Sequence, residues 1–378
     1  MAISQGISQT IRTVPSARTT QGMVMNSYTT RLGRVFANMD SAGQKLIEGR
    51  KFLTASEDPG GAARAYQLRR EYQKNNDYLE NTKSILDTMD SIDGNIDTIS
   101  KMAESAHLGL ERARNGTWTA FDRTIFANEL RTQARTAVQM LNSVFEAKFE
   151  FGGSDTKNNA PFRLDESVNP PILFYRGIDV TSTDPADRAQ LEAWANEKIY
   201  VDMGFGLKVE LLDASGNPDP NGTPVVKDST AFNISIPGIN LLGNYANAST
   251  DPNFNFQAED NLILNIFKIA DALEEGYPGE VDPPLDYDYT AYLWKKLDAQ
   301  REHILVTWTR LGADYQFLET RRGVLERNSD NLNSKILNVE FDDMEVAIGN
   351  YKMADYVYRA ALEMGTRILT PSFIDFMR

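Results

Sequence analysis

The sequence predicts a mainly α-helical protein. Long antiparallel coiled-coil-like helices from both chain ends form an elongated hairpin, with a central, mostly β insert. Three observations predict this. Apolar residues recur at alternating three- and four-residue steps near both ends of the chain. Between them, residues 156–257 lose that rhythm and become short strand-like runs separated by Gly, Pro, Asn and Asp. The helical rhythm then resumes to the end, so the two seams are buried most cheaply against each other.

Taken in order, residues 1–22 are rich in Ser, Thr and Gln and lack the continuous apolar core of a cleaved secretory signal; they read as a disordered extension. The first helical stretch, "TTRLGRVFANMDSAGQKLIEGRKFLTAS", places Leu32, Val35, Phe36, Met39, Gly43 and Leu46 on one face. It breaks at "SEDPGG", where Asp58 suits an N-cap and Pro59 the first turn of the next helix. From Pro59 to Arg114 the seam runs through Leu79, Leu86, Met89, Ile92, Ile96, Ile99, Ala103, Ala106, Leu110 and Ala113, with Gly94 and Gly109 as expected bends. A continuous helix of that extent is roughly 80 Å long. A compact globule of this size spans only about 55 Å, so an elongated molecule is expected.

"NGTW" reads as a turn into a helix from Thr119 to Phe145, with Ile125, Leu130, Ala134, Ala137, Leu141 and Val144 inward. Then comes the Gly-Gly loop "FEFGGSDTKNNAPF". The strand-like runs "ILFYRGIDV", "KIYVDMGFGLKVELL" and "TAFNISIPGI" mark the insert. Helical spacing returns at Ala258 (Leu262, Ile266, Ile269, Leu273), and an acidic loop follows. A second long helix carries Leu293, Leu297, Ile304, Trp308, Leu311, Tyr315, Leu318 and Leu325. A last helix from Asp343 carries Ile348, Tyr351, Ala354, Tyr358, Ala361 and Ile368. The expected domains are an extension (1–22), a terminal assembly coiled coil (23–58 with 340–378), a helical rod (59–155 with 258–339) and the β insert (156–257).

Composition removes most chemistry. With 378 residues, 41% hydrophobic and 24% charged, the chain can fold into two or three domains. A net charge of −14 opposes a nucleic-acid partner, which needs a basic face. No apolar run reaches the ~18 residues of a membrane span. The absence of cysteine rules out thiolate nucleophiles, disulfides and Cys-type zinc sites. The two histidines, His107 and His303, have no partner at metal-ligand spacing and read as ordinary helix residues. "GFG" at Gly204–Gly206 lacks the third glycine and the following helix of a dinucleotide loop, so it reads as a turn. Asn217, Asp219, Asn221, Gly222 and Asp228 match positions of a calcium loop, but two internal prolines and strand-like flanks favour a hairpin turn. The four tryptophans, Trp118, Trp194, Trp294 and Trp308, are scattered, with no basic interleaving for base stacking. No catalytic, cofactor or metal residue emerges, and no enzyme is expected.

The tail "RILTPSFIDFMR" is unusual. Six large apolar residues, Ile368, Leu369, Phe373, Ile374, Phe376 and Met377, crowd a terminus, where polar, frayed sequence is the norm. Burying them is worth roughly 9–18 kcal/mol, against about 16 kcal/mol to order the segment. Such a tail orders when something covers it, either its own domain or another molecule.

Four segments, in order, carry a resemblance. "KLIEGRKFLTASEDPGGAARAYQLR" resembles the N-terminal signature of flagellin-like proteins. "NGTWTAFDRTIFANEL", "FEFGGSDTKNNAPF" and "RILTPSFIDFMR" resemble later segments of the same family. Pro59-Gly60-Gly61 in place of the usual flagellin sequence, with the "F-G-G…P-F" and "P-S-x-x-D-F" passages, points to its hook-associated type 3 branch, the hook–filament junction proteins. The resemblance implies a structural subunit of the bacterial flagellum, extracellular and exported without a cleaved signal. It implies self-assembly into a ring through the terminal helices, with Leu32, Val35, Phe36, Met39, Leu46 and the six tail residues at the interface. It further implies other hook-associated subunits and flagellin as neighbours, and an export chaperone on the C-terminal segment. Relatives begin near Met23 or Met25, which leaves residues 1–22 as an extension or translation start as internal. The alternatives are a minor flagellin of the filament, or a secreted coiled-coil binding protein whose β insert takes a glycan or receptor.

Overall fold

A computed structural model of the chain describes residues 21–116, 118–157, 159–213, 218–251, 254–275 and 285–369. It is mainly helical with a central β region. Two compact units divide it, one of residues 1–72 and 330–378 and one of residues 73–329. Both boundaries fall inside long helices, α2 (Pro59–Arg114) and α7 (Tyr287–Glu340), and residues 156–257 do not separate from the helices in that division.

In the terminal unit, α1 (Gln21–Glu48) lies against α8 (Met344–Leu369). The loops that follow α1 and precede α8 are tied together by their backbones. Lys51 N donates to Glu340 O at 2.8 Å, Asp342 N donates to Gly49 O at 3.0 Å, and Arg50 bridges to Phe341. Lys51 Nζ adds a bond to Asn338 O at 2.6 Å, and the buried Glu340 carboxylate takes the Arg69 guanidinium. Helix α2 starts as its sequence requires. Pro59 opens the first turn, and Asp58 Oδ1 accepts from Gly61 N at 2.9 Å.

In the central unit the α2 seam is buried at Met89, Ile92, Ile96, Ile99, Ala103, Ala106, Leu110 and Ala113. The α7 seam is buried at Leu293, Leu297, Ile304, Leu311, Leu318 and Leu325. The two helices run antiparallel. Asn75 Nδ2 donates to Leu325 O at 2.8 Å, Trp308 Nε1 to Asp93 Oδ1 at 2.6 Å, and the His107 ring lies 4.7 Å from that of Trp294. Burial holds the His107 imidazole below its ordinary pKa, so it sits in the seam as a neutral ring. Helix α3 (Ala120–Leu141) is closed by a reciprocal cap between Thr119 and Asp122. Hydrogen bonds from the Thr119 side chain and backbone hold the Asp122 carboxyl below the usual range. It packs on α6 (Leu262–Glu275), and Arg131 of α3 clamps Asp271 and Glu274, each at 2.8 Å.

The strands are short. A two-residue hairpin, β1 (Val144–Phe145) with β2 (Lys148–Phe149), turns through Glu146 and Ala147, both at positive φ. Strands β3 (Phe162–Asp165), β4 (Ile172–Tyr175) and β5 (Ile178–Asp179) form an antiparallel sheet. Next come α4 (Pro185–Ala195) and β6 (Tyr200–Val201), which pairs with β9 (Phe232–Asn233). Between these lies the hairpin of β7 (Val209–Leu212) and β8 (Thr223–Val226), followed after β9 by α5 (Ile239–Leu242). Phe151, Phe162, Leu173, Tyr175 and Tyr245 of this region join the same hydrophobic core as the α2, α3, α6 and α7 seams.

Several expectations are corrected. Helix α3 ends at Leu141, so Val144 is a strand residue and 55% exposed, and Ile125 faces outward at 53%. Helix α2 is continuous through Gly94 and Gly109, which leaves the expected bends untested. At Gly109 the reason for glycine is the neighbouring helix: an added Cβ would stand 1.9 Å from Phe126 Cζ. Gly204 and Gly206 take positive φ in a turn, as their spacing suggested. The Asn221–Gly222 stretch lies in the β7–β8 connection; Asn217 and the Asp228 side chain lie outside the description, as do residues 1–20 and the acidic 276–284.

The Phe126 seat gives a test. Gly109→Ala should cost about 1–3 kcal/mol through overpacking, read as a lower urea midpoint at unchanged slope. Phe126→Leu in the same chain should recover part of that loss. Equal midpoints for parent and Gly109→Ala would mean that the phenyl ring is not seated there.

Candidate assembly interface

The α1–α8 pair is built from two matching seams. On α1 the half-buried residues Tyr28, Leu32, Val35, Met39, Ala42 and Leu46 step by four and three. On α8 the seam is Ala347, Tyr351, Ala354, Tyr358, Ala361 and Gly365, with the same steps; Ala347 and Gly365 are buried and the rest half-buried. The helices run antiparallel: Tyr28 Oη donates to Ala361 O at 3.0 Å, and the Phe36 and Tyr358 rings meet at 5.7 Å. Small residues allow the close approach. A Cβ on Gly43 would touch Tyr351 at 3.4 Å, and one on Gly365 would stand 2.0 Å from Tyr28 Oη.

Of the expected interface residues, Leu32, Val35, Met39 and Leu46 lie in this seam, and Phe36 stands at its edge, 50% exposed. Ile368 and Leu369 end α8, but their side chains lie outside the described residues, as do Phe373, Ile374, Phe376 and Met377 altogether. Ile348, expected on the packed face, is exposed.

Sequence reading missed a second stripe. Val346, Met353, Val357 and Met364 are all exposed, between 44% and 66%. With Asn350 and Ala360 they repeat the four–three step, one residue behind the first seam. At 3.6 residues per turn this sets them about 100° around the helix. Flanking the stripe, about 80° further round the helix, Tyr356 is exposed at 71%. The signal was present in the count: α8 has more apolar residues than one partner helix can cover.

Among the described residues no cluster of His, Cys, Asp or Glu has metal-binding geometry, and no helix is long and apolar enough to cross a membrane. The arrangement offers surface for packing, with no reactive group in it.

No family model matches the chain, and no curated protein is significantly similar to it in sequence. Solved structures are similar in fold. One described as a flagellar hook-associated protein from Vibrio parahaemolyticus aligns over 75% of this chain and 100% of its own, with a TM-score of 0.53 and 16% identity. A flagellar hook-associated protein-3 from Legionella pneumophila aligns over 72% and 98%, at 0.47 and 13%. FlgL from Bacillus cereus aligns over 72% and 99%, at 0.42 and 13%.

The tight Tyr28–Gly365 contact yields a prediction for the pair itself. Gly365→Ala should loosen α8 from α1 and speed amide exchange in both helices. Tyr28→Ala in that background should restore protection at Ala361 and its neighbours. Unchanged exchange in Gly365→Ala would remove this contact from the pairing.

Proposed function

We propose that this chain is a structural subunit of the bacterial flagellum, of the hook-associated type 3 kind, which joins hook to filament and polymerises through its N- and C-terminal helices. The observation that carries the reading is the second apolar seam of α8, which lies open in the single chain. Its heptad-like spacing fits another helix, as in a wall of coiled coils. The fold likeness to a hook-associated protein supports the same reading, as do the four ordered sequence segments. In this reading copies form a ring, flagellin and other hook-associated subunits are neighbours, and the protein works outside the cell after export without a cleaved signal. The tail of Phe373, Ile374, Phe376 and Met377 completes the assembly surface, and an export chaperone covers it beforehand. Catalysis has no part in the role.

Two measurements test this. A strain lacking the gene should carry hooks without filaments and shed flagellin into the medium; normal filaments would refute the proposal. Met353→Ser with Tyr356→Ser changes only exposed side chains, so monomer stability should move by no more than about 0.5 kcal/mol. Complementation by that variant should nevertheless fail, and full motility would show that the second seam is not an interface. The Phe373→Ser, Phe376→Ser variant should behave likewise and lose chaperone binding.

A further inference from the structure

The central unit contains a cleft of about 530 Å³ that the assembly role does not use. One wall is a stripe of α7 from His303 through Val306, Thr307, Arg310 and Leu311 to Asp314. At 1.5 Å per residue this wall is about 16 Å long. The facing wall is the loop region around β9 and α5.

Several of its polar groups are unspent. Ser235 Oγ is buried and bonds nothing in the protein. Asn233 and Asn240 use their side-chain oxygens on backbone amides, which leaves both Nδ2 donors unused. His303 Nε2 lies 2.6 Å from Asn240 O, a carbonyl that can only accept, so Nε2 donates there, and Nδ1 makes no hydrogen bond among the described residues. Asp314 and Arg310 stand one turn apart on α7, yet close no ion pair with each other. Partial burial pushes the Asp314 carboxyl above its ordinary range, with Arg310 opposing. Buried polar groups normally have partners; Ser235 Oγ lacks one, and the unused donors and acceptors beside it along the cleft suit an occupant that both donates and accepts.

We propose that this cleft binds a neutral oligosaccharide of two or three rings. Hydroxyls both donate and accept, as this mixture of amide, hydroxyl, carboxylate and guanidinium demands. The C–H faces of the rings would lie on Ile236, Pro237, Val306 and Leu311, the aliphatic part of the lining. An extended peptide fits less well. One wall is a helix, whose backbone groups are already paired, and the other is mostly loop beside the two-residue strand β9, which is too short to pair with an extended peptide. A volume of this size lies within the range of small-molecule sites.

The experiment is saturation-transfer NMR on the full chain with maltotriose, cellotriose and N-acetylated chitotriose, each at millimolar concentration. Transfer to at least one trisaccharide is expected. It should fall at least tenfold in Asp314→Ala, which removes an acceptor, and in Val306→Glu, which changes a side chain 63% exposed at the cleft. Both positions face away from the core, and two independent variants guard against a folding defect in either. No transfer from any of the three sugars would overturn the proposal. So would transfer that persists in both variants, because the sugar would then bind elsewhere.

Discussion

Two helices pressed together can each hide one stripe, and α8 carries two. That constraint governs the terminal unit. The first stripe, Ala347 to Gly365, is met by α1 through Tyr28 and its small-residue neighbours. The second, Val346 to Met364, has no helix against it among the described residues. Apolar surface of this kind is a source of free energy held in reserve at roughly 25 cal/mol per Å². In the proposed assembly, this exposed stripe at heptad spacing is the surface that a helix of another subunit covers.

The central unit solves the same problem internally. Its α2 and α7 seams face one another, and the strand region closes over the remaining apolar faces of α3 and α6. Some of its buried polar groups pair across elements. Asn265 Nδ2 donates to Gln300 Oε1 at 2.9 Å, Gln300 Nε2 to Glu259 O at 3.0 Å, and Lys296 meets the buried Asp260 at 2.5 Å. Such pairs fix register where leucine and isoleucine alone would permit sliding.

The long seams were legible in the sequence because a period imprints itself on many residues at once. Met89, Ile96, Ala103 and Leu110 recur every seven, as do Ile304, Leu311, Leu318 and Leu325, so a single misplacement does not hide the pattern. The start of α2 was legible because Asp58 and Pro59 act locally. What stayed illegible depended on contacts distant in sequence. Gly109 looks like a weak point until Phe126 is placed over it. Ile125 keeps helical phase, yet faces outward because α6 covers the opposite side of α3. The second seam of α8 hid in plain view, since periodicity identifies an apolar face but does not count how many neighbours are there to cover it. The orphaned groups of the cleft have no sequence signature, because they are defined by bonds that are not made.

The backbone ties between the Gly49–Lys51 loop and Glu340–Asp342 have a bearing on biosynthesis. They join parts of the chain separated by about three quarters of its length. At ribosomal rates of about 5–20 residues per second, α1 emerges roughly 15–60 s before α8 exists to pair with it. During that interval its half of the seam, including Leu32, Val35 and Met39, has no native mate. The terminal unit is thus the last part of the molecule that can close. The nascent chain spends most of its synthesis with an adhesive N-terminal segment waiting for the final residues to be made.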